Sequence, residues 1–426
     1  MSPPLLKVAV IGAGVAGLAT ARSLKLEQHQ VVIYEKSGQL GGTWVYDPRT
    51  ESDPLGLDPN REIIHGSMYP SLRANLPRQL MGFSDYPFSS KIRNDEFRTF
   101  PSHEEVLQFL IGFAEEFGLV DLIRFESEVV RVERVGLRND EWVVGLRTQG
   151  RSSEEIFDAV VVCNGHNTQP RLAHLPGIER WPGKQIHSHN YRGPEPFTDQ
   201  IVVVIGYGPS AIDISLEISK VAKEVYVSSR DPGIKISKLD FVDNIWQHSK
   251  IDCVNENGEV AFQDGASIHA NIILYCTGFN FHFPFLKSDG IVSVDDNRVG
   301  PLYKHVFPPK LAPNLSFVGI TNRAFAAFVA IDLQAKWIAK VLSGKANLPP
   351  EEEMMAEIEQ YYQHLKEKGI PKHHTHSLGP QLDEYLDWLA SEAGLAEVDE
   401  EIKLISKSYF NFVIDKGLWR AREWEL

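Results

Sequence analysis

Two glycine fingerprints, each between an apolar run and a helix-like pattern, constrain the fold of this chain most strongly. The first, VAVIGAGVAGLATA, has Gly12, Gly14 and Gly17 in G-x-G-x-x-G spacing. The second, VVVIGYGPSAIDIS, has Gly206 and Gly208 in place and an alanine in the third position. Such glycines allow a tight turn after a buried parallel strand and a close approach of backbone to a pyrophosphate at a helix N-terminus. The chain is therefore predicted to hold two dinucleotides.

The residue that ends the second strand of each unit indicates which dinucleotide is bound. In the first unit, VVIYE ends in Glu35, a carboxylate placed to hydrogen-bond a free ribose 2′-hydroxyl. At the same offset in the second unit, VYVSS ends in Ser229, which Arg230 follows. A hydroxyl and a guanidinium would receive a 2′-phosphate that a carboxylate would repel. The first unit is therefore predicted to bind FAD and the second NADPH.

Length and charge narrow the class of protein. With 426 residues, the chain exceeds what one hydrophobic core usually supports, so two lobes are expected. The net charge of −14 argues against nucleic acid or an anionic membrane as a partner. The sequence shows no signal peptide and no run of about 18 apolar residues that would span a membrane. A cytoplasmic protein is therefore expected, and a homodimer is left open.

Cysteine and histidine usage disfavours two other kinds of site. The cysteines are Cys163, Cys253 and Cys276, and no two of them form C-x-x-C. A flavoprotein that reduces disulfides is therefore disfavoured, and Cys163 and Cys276 are expected to be buried small hydrophobic residues. The histidines of KGIPKHHTHSLG lack an accompanying carboxylate or thiolate pattern, so no metal site is predicted.

The order of the motifs along the chain predicts an α/β fold in which one Rossmann-like domain is inserted into another. Residues 1–167 are assigned to the first part of an FAD domain, and residues 168–282 to an NADPH domain. Residues 283–426 are assigned to the second part of the FAD domain and a helical tail. LSFVGI at 315–320 predicts a strand, and the apolar spacing over 327–344 predicts a helix beside the flavin.

Three further features lie between the first fingerprint and the second. Residues 47–100 are rich in Pro, Asp, Asn, Arg and Ser, which predicts a long irregular excursion of a kind that is usually functional. The apolar spacing over 103–118 predicts a helix. RFESEVVRVERV and EWVVGLRT alternate as the strands of a hairpin do.

The segment WPGKQIHSHNYR carries Trp181, Gly183, His187 and Tyr191 at fixed offsets. It closely resembles the F-x-G-x-x-x-H-x-x-x-[YF] signature of the flavin-containing monooxygenases, with Trp in place of the leading Phe. YPSLRANLPRQLMGFSDYPF, GGTW, the Cys-Thr-Gly turn and LSFVG also match that family. The resemblance covers nearly all of the chain and is closest to the plant branch that includes the glucosinolate S-oxygenases. Buried linker residues that set the angle between the lobes would equally account for His187 and Tyr191.

The resemblance implies a cofactor chemistry and a set of contacts. NADPH reduces FAD, O2 forms a C4a-hydroperoxyflavin, and a thioether sulfur or an amine takes up the oxygen. Asn75 is then the active-site residue whose amide bridges flavin and nicotinamide, although an asparagine there also fits a turn cap. FAD contacts are expected at Gly12, Gly14, Gly17, Glu35, Lys36, Gly42, Trp44, Asn75, Leu76, Val129 and Gln334, and NADPH contacts at Gly206, Tyr207, Gly208, Ser210, Ser229 and Arg230.

The segment ITNRAFAAFVAIDLQ departs from the family's P-x-P-x-x-E-x-Q pattern, because it carries Asp332 for the acid while it keeps Gln334. It is expected to line the approach of the substrate to the flavin. The substrate-facing residues would be Asn322, Arg323, Phe325 and Phe328. The alternative is that FAAF packs in the core under the flavin.

The predicted activity is S-oxygenation of a small thioether, such as an alkylthio metabolite of plant secondary metabolism or an S-alkyl cysteine. N-oxygenation or N-hydroxylation of an amine, and a decarboxylating monooxygenase of the auxin-forming type, are the enzymatic alternatives. A Baeyer–Villiger enzyme is disfavoured because Arg192, and not a Trp-Pro pair, ends the signature. A non-catalytic flavin or NADPH sensor is the alternative from a different class.

Overall fold

Two mainly parallel sheets, each built around one glycine fingerprint, organise the chain. The computed structural model describes residues 5–88, 98–135, 141–322 and 324–425. Further short sheets and a helical C-terminal region surround these two.

The first sheet is five-stranded and wholly parallel. Its strands lie in the order Leu315–Phe317, Ala159–Val162, Lys7–Ile11, Gln30–Tyr34 and Ile123–Arg124. Along its central strand, Val8 and Val10 belong to one buried cluster and Ala9 and Ile11 to another. Because both faces are covered, the strand is apolar throughout, as a buried parallel strand must be.

A mainly antiparallel sheet, in which only the short strand Leu286–Lys287 pairs in parallel, covers one face of this parallel sheet. Its strands lie in the order Leu286–Lys287, Ser127–Val135, Glu141–Thr148 and Arg151–Phe157. Trp142, Val144 and Phe157 share a buried cluster with the central strand of the first sheet. The hairpin that the alternating pattern predicted is confirmed.

Two helices cover the opposite face, and a buried ion pair joins them. Val15–Leu26 follows the first fingerprint and packs against Ala327–Leu342. Arg22 Nη2 lies 3.1 Å from Oδ1 of Asp332, and both side chains are buried. Lys336 Nζ lies 2.8 Å from the other oxygen of the same carboxylate. The acid that departs from the family pattern therefore stabilises helix packing, with both oxygens engaged by protein groups.

The second sheet is six-stranded. Its strands lie in the order Ser237–Lys238, Ile245–His248, Glu224–Ser228, Ile201–Ile205, Ile272–Tyr275 and Lys184–His187, and all but the first pair are parallel. Helix Pro209–Ile218 follows its fingerprint. A three-stranded sheet of Ile251–Val254, Glu259–Phe262 and Ser267–His269 contributes to a buried cluster with this sheet.

The chain leaves the first sheet, builds the second, and then returns to add Leu315–Phe317 to the first. Gln169–Pro170 and Phe279–Asn280 pair as antiparallel strands, so the outgoing and returning segments lie side by side. This topology confirms the expected fold, in which one nucleotide-binding domain is inserted into the other. The boundaries at 168 and 282 stay predictions.

The remaining elements agree with the patterns read from the sequence. Helix His103–Glu116 begins with a capping box between Ser102 and Glu105, which satisfies two backbone donors. Within residues 47–87, the only regular helix or strand that the structure describes is the short 3-10 helix Arg78–Leu80. The hairpin of Ser293–Asp295 with Arg298–Gly300 follows Lys287. The C-terminal region contains the helices Glu351–Glu367, Leu382–Glu392 and Glu400–Lys416 and the 3-10 helix Leu418–Glu423. Among the described helices, none is both long and apolar enough to cross a bilayer.

Candidate functional site

The first fingerprint is a turn in which two glycines are fixed by packing and one is left open. Gly12 has a φ of +103°, and a Cβ added there would lie 2.6 Å from the carbonyl oxygen of Cys163. A Cβ on Gly17 would overlap the carbonyl oxygen of Gly12. A Cβ on Gly14 would instead have only the backbone of Gly42 near it, at 3.5 Å. The turn therefore presents bare backbone at the start of the helix.

The GGTW segment completes this bare surface. Gly41 donates its N–H to the carbonyl oxygen of Ala13 at 3.0 Å, which ties the segment to the fingerprint. Gly42 has a φ of +57°, and a Cβ there would lie 2.9 Å from Cα of Gly14. Trp44 ends the short 3-10 helix and is half-buried. The two facing glycines leave a backbone-lined surface of the kind that a pyrophosphate approaches.

Glu35 lies beside the fingerprint, at the end of the second strand. Its Oε2 accepts a hydrogen bond from the N–H of Ala13 at 2.8 Å. Its Oε1 accepts from the N–H and the hydroxyl of Ser37, both at 2.8 Å. These bonds hold the carboxylate next to the turn. Lys36 is exposed, and its Nζ lies 3.1 Å from Oε1 of Glu128.

The second fingerprint repeats the arrangement on the other sheet. Gly206 has a φ of +125°, and a Cβ there would overlap the carbonyl oxygen of Cys276. A Cβ on Gly208 would meet nothing within 4 Å. Ser210 is exposed in the first turn of the helix, whereas Ala211 in the third fingerprint position is fully buried. The open backbone at Gly208 is again at a helix N-terminus.

Ser229 and Arg230 follow the second strand of this unit. The N–H of Ser229 donates to the carbonyl oxygen of His248 at 3.1 Å, and its Oγ accepts from the N–H of Asp231 at 3.0 Å. Arg230 is exposed. Tyr207 is half-buried, with its ring 6.2 Å edge-to-face from that of Trp419. The C-terminal segment thus reaches the second fingerprint, which no motif indicated.

The signature segment lies at the junction of the two lobes. A Cβ on Gly183 would overlap the indole ring of the buried Trp181, so these two signature positions form a packing pair. His187 accepts the N–H of His189 at Nδ1, 3.0 Å away, and donates from Nε2 to the carbonyl oxygen of Gly278 at 3.0 Å. That carbonyl belongs to the returning segment of the chain.

Burial and the neighbouring His189 lower the pKa of His187 to about 4, so this imidazole is neutral near pH 7. Tyr191 is also buried, edge-to-face with Tyr69 at 5.1 Å, and burial raises the pKa of its hydroxyl. Both residues have the surroundings of linker residues. The geometry favours that interpretation over proton transfer.

A buried carboxylate fastens the irregular excursion to the signature segment. Glu51 accepts from Nε of Arg61 at 2.6 Å, from His189 at 3.1 Å and from the N–H of Ile64 at 3.1 Å. Burial alone would raise the pKa of Glu51, but the bonds from His189 and Arg61 hold it below its usual value. Arg192 donates to the carbonyl oxygens of Asp47 and Gly66 in the same excursion. Sequence reasoning missed this network, because no local motif distinguishes a buried carboxylate such as Glu51 from the many exposed ones.

Asn75 lies in the flavin-side segment of the excursion. Its side chain is exposed, whereas the adjacent Ala74 is buried. Its carbonyl oxygen accepts a hydrogen bond from the hydroxyl of Tyr409 at 2.9 Å. Leu76 is half-buried against the apolar clusters on either side. The segment is therefore held by its backbone, and the amide of Asn75 is left accessible.

Gln334 and Val129 lie deeper in the FAD domain. Gln334 is fully buried and accepts the N–H of Gly319 at 3.2 Å. Its amide nitrogen donates to the hydroxyl of Tyr385 at 2.8 Å. Val129 is half-buried against the cluster between the two sheets of this domain. In this structure Gln334 thus orients Gly319, which lies close to the first nucleotide helix.

The residues expected to face the substrate divide into two groups. Asn322 and Phe325 are half-buried, and Oδ1 of Asn322 accepts from the hydroxyl of Ser377 at 2.6 Å. Phe328 is buried, with its ring 5.8 Å from that of Phe83, which fits core packing and not a substrate-facing position. Arg323 lies outside the described residues.

His376 is held by hydrogen bonds within the protein, and two of the cysteines are buried. His376 accepts the N–H of Val299 at 3.1 Å, and its other ring nitrogen lies 3.0 Å from Nδ1 of His305. Within the described ranges, no group of three or more potential ligands could hold a metal ion. Cys163 and Cys276 are buried as predicted, and burial raises the pKa of each thiol to about 12.

Comparisons with known proteins agree with this architecture. The family model described as flavin-binding monooxygenase-like matches residues 6–246 and 241–402. The Arabidopsis thaliana protein flavin-containing monooxygenase FMO GS-OX5 is 52% identical over 423 residues, which cover 98% of this chain and 91% of that protein. S-allyl-L-cysteine S-oxygenase from Allium sativum superposes with a TM-score of 0.95 at 49% identity, over 100% of this chain and 97% of its own. Tmm from Pelagibacter sp. strain HTCC7211 superposes with a TM-score of 0.83 at 25% identity, over 99% and 93%.

The family match confirms the expected class of enzyme and its cofactors. This chain belongs to the flavin-binding monooxygenase-like family and is a flavin-containing monooxygenase that uses FAD and NADPH.

Proposed function

We propose that this enzyme oxygenates the sulfur of a small thioether. NADPH and a proton supply two electrons, one atom of O2 is added to sulfur to give the sulfoxide, and the other atom leaves as water. Bound FAD would supply the oxygen-transfer chemistry. The observation that carries the choice of sulfur is the 49% identity, over the whole chain, with the Allium sativum S-allyl-L-cysteine S-oxygenase.

The geometry supports one dinucleotide at each fingerprint. The facing backbones of Gly14 and Gly42, with Glu35 beside them, fit the pyrophosphate and ribose of FAD. The open backbone at Gly208, with Arg230 exposed just after the adjacent strand, fits the pyrophosphate and 2′-phosphate of NADPH. Asn75 is proposed as the residue that hydrogen-bonds the reacting part of the cofactors. No Ser-His-Asp arrangement is required, since the cofactors carry the reaction.

The proposed function is tested by supplying NADPH and O2 with a panel of thioethers and amines. The panel includes an S-alkyl cysteine, an alkylthio compound without a carboxylate, and primary and tertiary amines. We expect sulfoxides with one added oxygen atom, which mass spectrometry with ¹⁸O2 would trace to O2. Faster turnover of an amine than of every thioether would overturn the choice of sulfur and favour N-oxygenation.

We expect Gly14→Val to abolish flavin binding, because the added methyl groups would fill the space that the backbone leaves for a pyrophosphate. Flavin content follows from the absorbance of the purified protein. Gly38→Val is the matched control, since Gly38 is exposed and a Cβ there would meet nothing within 4 Å. Full flavin occupancy in Gly14→Val would show that FAD binds elsewhere.

We expect Arg230→Ala to weaken NADPH binding while NADH binding is nearly unchanged. A charge-assisted contact to a 2′-phosphate contributes about 1.5–3 kcal/mol, which corresponds to roughly 10- to 150-fold in affinity. Both cofactors are titrated against the variant and against the control Arg180→Ala, which changes another exposed arginine of the same lobe. Equal losses for NADPH and NADH would contradict this role.

We expect Asn75→Ala to keep bound flavin that NADPH still reduces, but to divert NADPH consumption to hydrogen peroxide. The change removes one side-chain donor, while the carbonyl that Tyr409 contacts is retained. Peroxide and sulfoxide are counted against NADPH consumed. Asn60→Ala is the control, because Asn60 is an exposed asparagine of the same excursion. If Asn75→Ala formed as much sulfoxide per NADPH consumed as the unaltered enzyme, Asn75 would have no role in the reaction.

A further inference from the structure

The C-terminal helix Glu400–Lys416 packs on the flavin-side segment. Its buried Ile405 and Tyr409 form one apolar cluster with Leu80, Phe100 and the tail residue Trp424. The Tyr409 ring lies 5.8 Å from that of Phe100 and 5.6 Å from that of Trp424. This cluster holds Tyr409 so that its hydroxyl reaches the carbonyl oxygen of Asn75 at 2.9 Å.

The same helix also touches the segment next to the proposed substrate approach. The ring of Phe325 lies 5.6 Å from that of Tyr409 and 5.2 Å from that of Phe410, both edge-to-face. Such aromatic pairs stabilise a fixed arrangement of rings. One helix face therefore packs against both Asn75 and Phe325, which lie about 250 residues apart in the chain.

The short tail after this helix reaches the other lobe. Trp419 donates from its indole nitrogen to Oε1 of Gln247 at 2.6 Å, and its ring packs against that of Tyr207 in the second fingerprint. Arg422 pairs with Asp213 on the second nucleotide helix. The same Nη2 of Arg422 donates to the carbonyl oxygen of Arg73 at 2.9 Å, two residues before Asn75.

We propose that residues 400–424 form a C-terminal clasp that sets the position of Asn75 relative to bound NADPH, with Tyr409 and Arg422 as its positioning residues. The clasp contacts the backbone of Asn75 through Tyr409. Through Arg422 it joins the flavin-side segment to the second nucleotide helix. This inference rests on the proposed function, because it gives Asn75 its role at the cofactors. A clasp that touches both lobes keeps a fixed geometry where the two lobes meet.

The first test is Tyr409→Phe, which removes one hydroxyl and keeps the ring of the apolar cluster. We expect peroxide release from NADPH without substrate to rise about 2- to 10-fold, as one hydrogen bond of ordinary strength would give. Flavin content should match that of the unaltered enzyme, and the melting temperature should fall no further than in the control variant. Tyr361→Phe is the control, because its hydroxyl donates to the carbonyl oxygen of Thr375 at 2.7 Å, away from the fingerprints.

A double variant separates positioning from general stabilisation. If Tyr409 acts through Asn75, then Tyr409→Phe added to Asn75→Ala should release no more peroxide than Asn75→Ala alone. Independent, multiplied effects would overturn the proposal, as would an unchanged peroxide rate in Tyr409→Phe. Peroxide release needs no organic substrate, so these comparisons test the clasp even if no thioether is oxygenated. A failure to oxygenate any thioether would contradict the proposed function and not the clasp.

The second test uses Arg422→Gln and the affinity for NADP⁺, measured from the change in flavin absorbance on titration. We expect binding to weaken about 2- to 10-fold, the effect of losing one polar contact, with Arg180→Gln as the control. The double variant Arg422→Gln with Asp213→Asn should bind NADP⁺ no more weakly than Arg422→Gln alone. An unchanged affinity in Arg422→Gln would show that the tail does not act on the second nucleotide site.

Discussion

Both nucleotide turns depend on the same close contact, between a glycine and the carbonyl of the neighbouring strand. Gly12 lies against the carbonyl of Cys163, and Gly206 lies against that of Cys276. Each glycine has a positive φ that side chains rarely adopt. Because the Cβ is missing, the chain can turn at the end of the fingerprint strand in contact with the end of the neighbouring strand of the sheet. The open backbone at Gly14 and at Gly208 is a consequence of that turn.

Contacts of the linker and of the C-terminal tail hold the two lobes, and with them the two turns, together. His187 bonds the returning segment at Gly278, and Glu51 fastens the irregular excursion to the linker through His189. Arg422 joins the second nucleotide helix to the segment of Asn75. The buried groups among these, which are His187, His189 and Glu51, are costly unless each finds its partner. The junction between the lobes is therefore specified by a small number of directional bonds.

The fold could be predicted because its signals are local. A glycine turn after an apolar strand, the alternation in 127–148 and the apolar spacing over 103–118 each depend on near neighbours in the chain. The sequence left open whether Phe328 is buried or faces the substrate, and the pairing of Asp332 with Arg22 could not be predicted, because the partners lie far apart in sequence. The same holds for Tyr409, whose contact with Asn75 spans 334 residues.

His187 at the junction of the lobes and the thiols of Cys163 and Cys276 beside the two turns are held in their neutral forms. Burial lowers the pKa of His187 to about 4 and raises the pKa of the Cys163 and Cys276 thiols to about 12. Between those limits none of the three gains or loses a proton. These residues therefore bond and pack as neutral groups, and oxidation and reduction are left to the cofactors. What the chain itself supplies is position, through backbone at the fingerprints and through contacts from distant segments at Asn75.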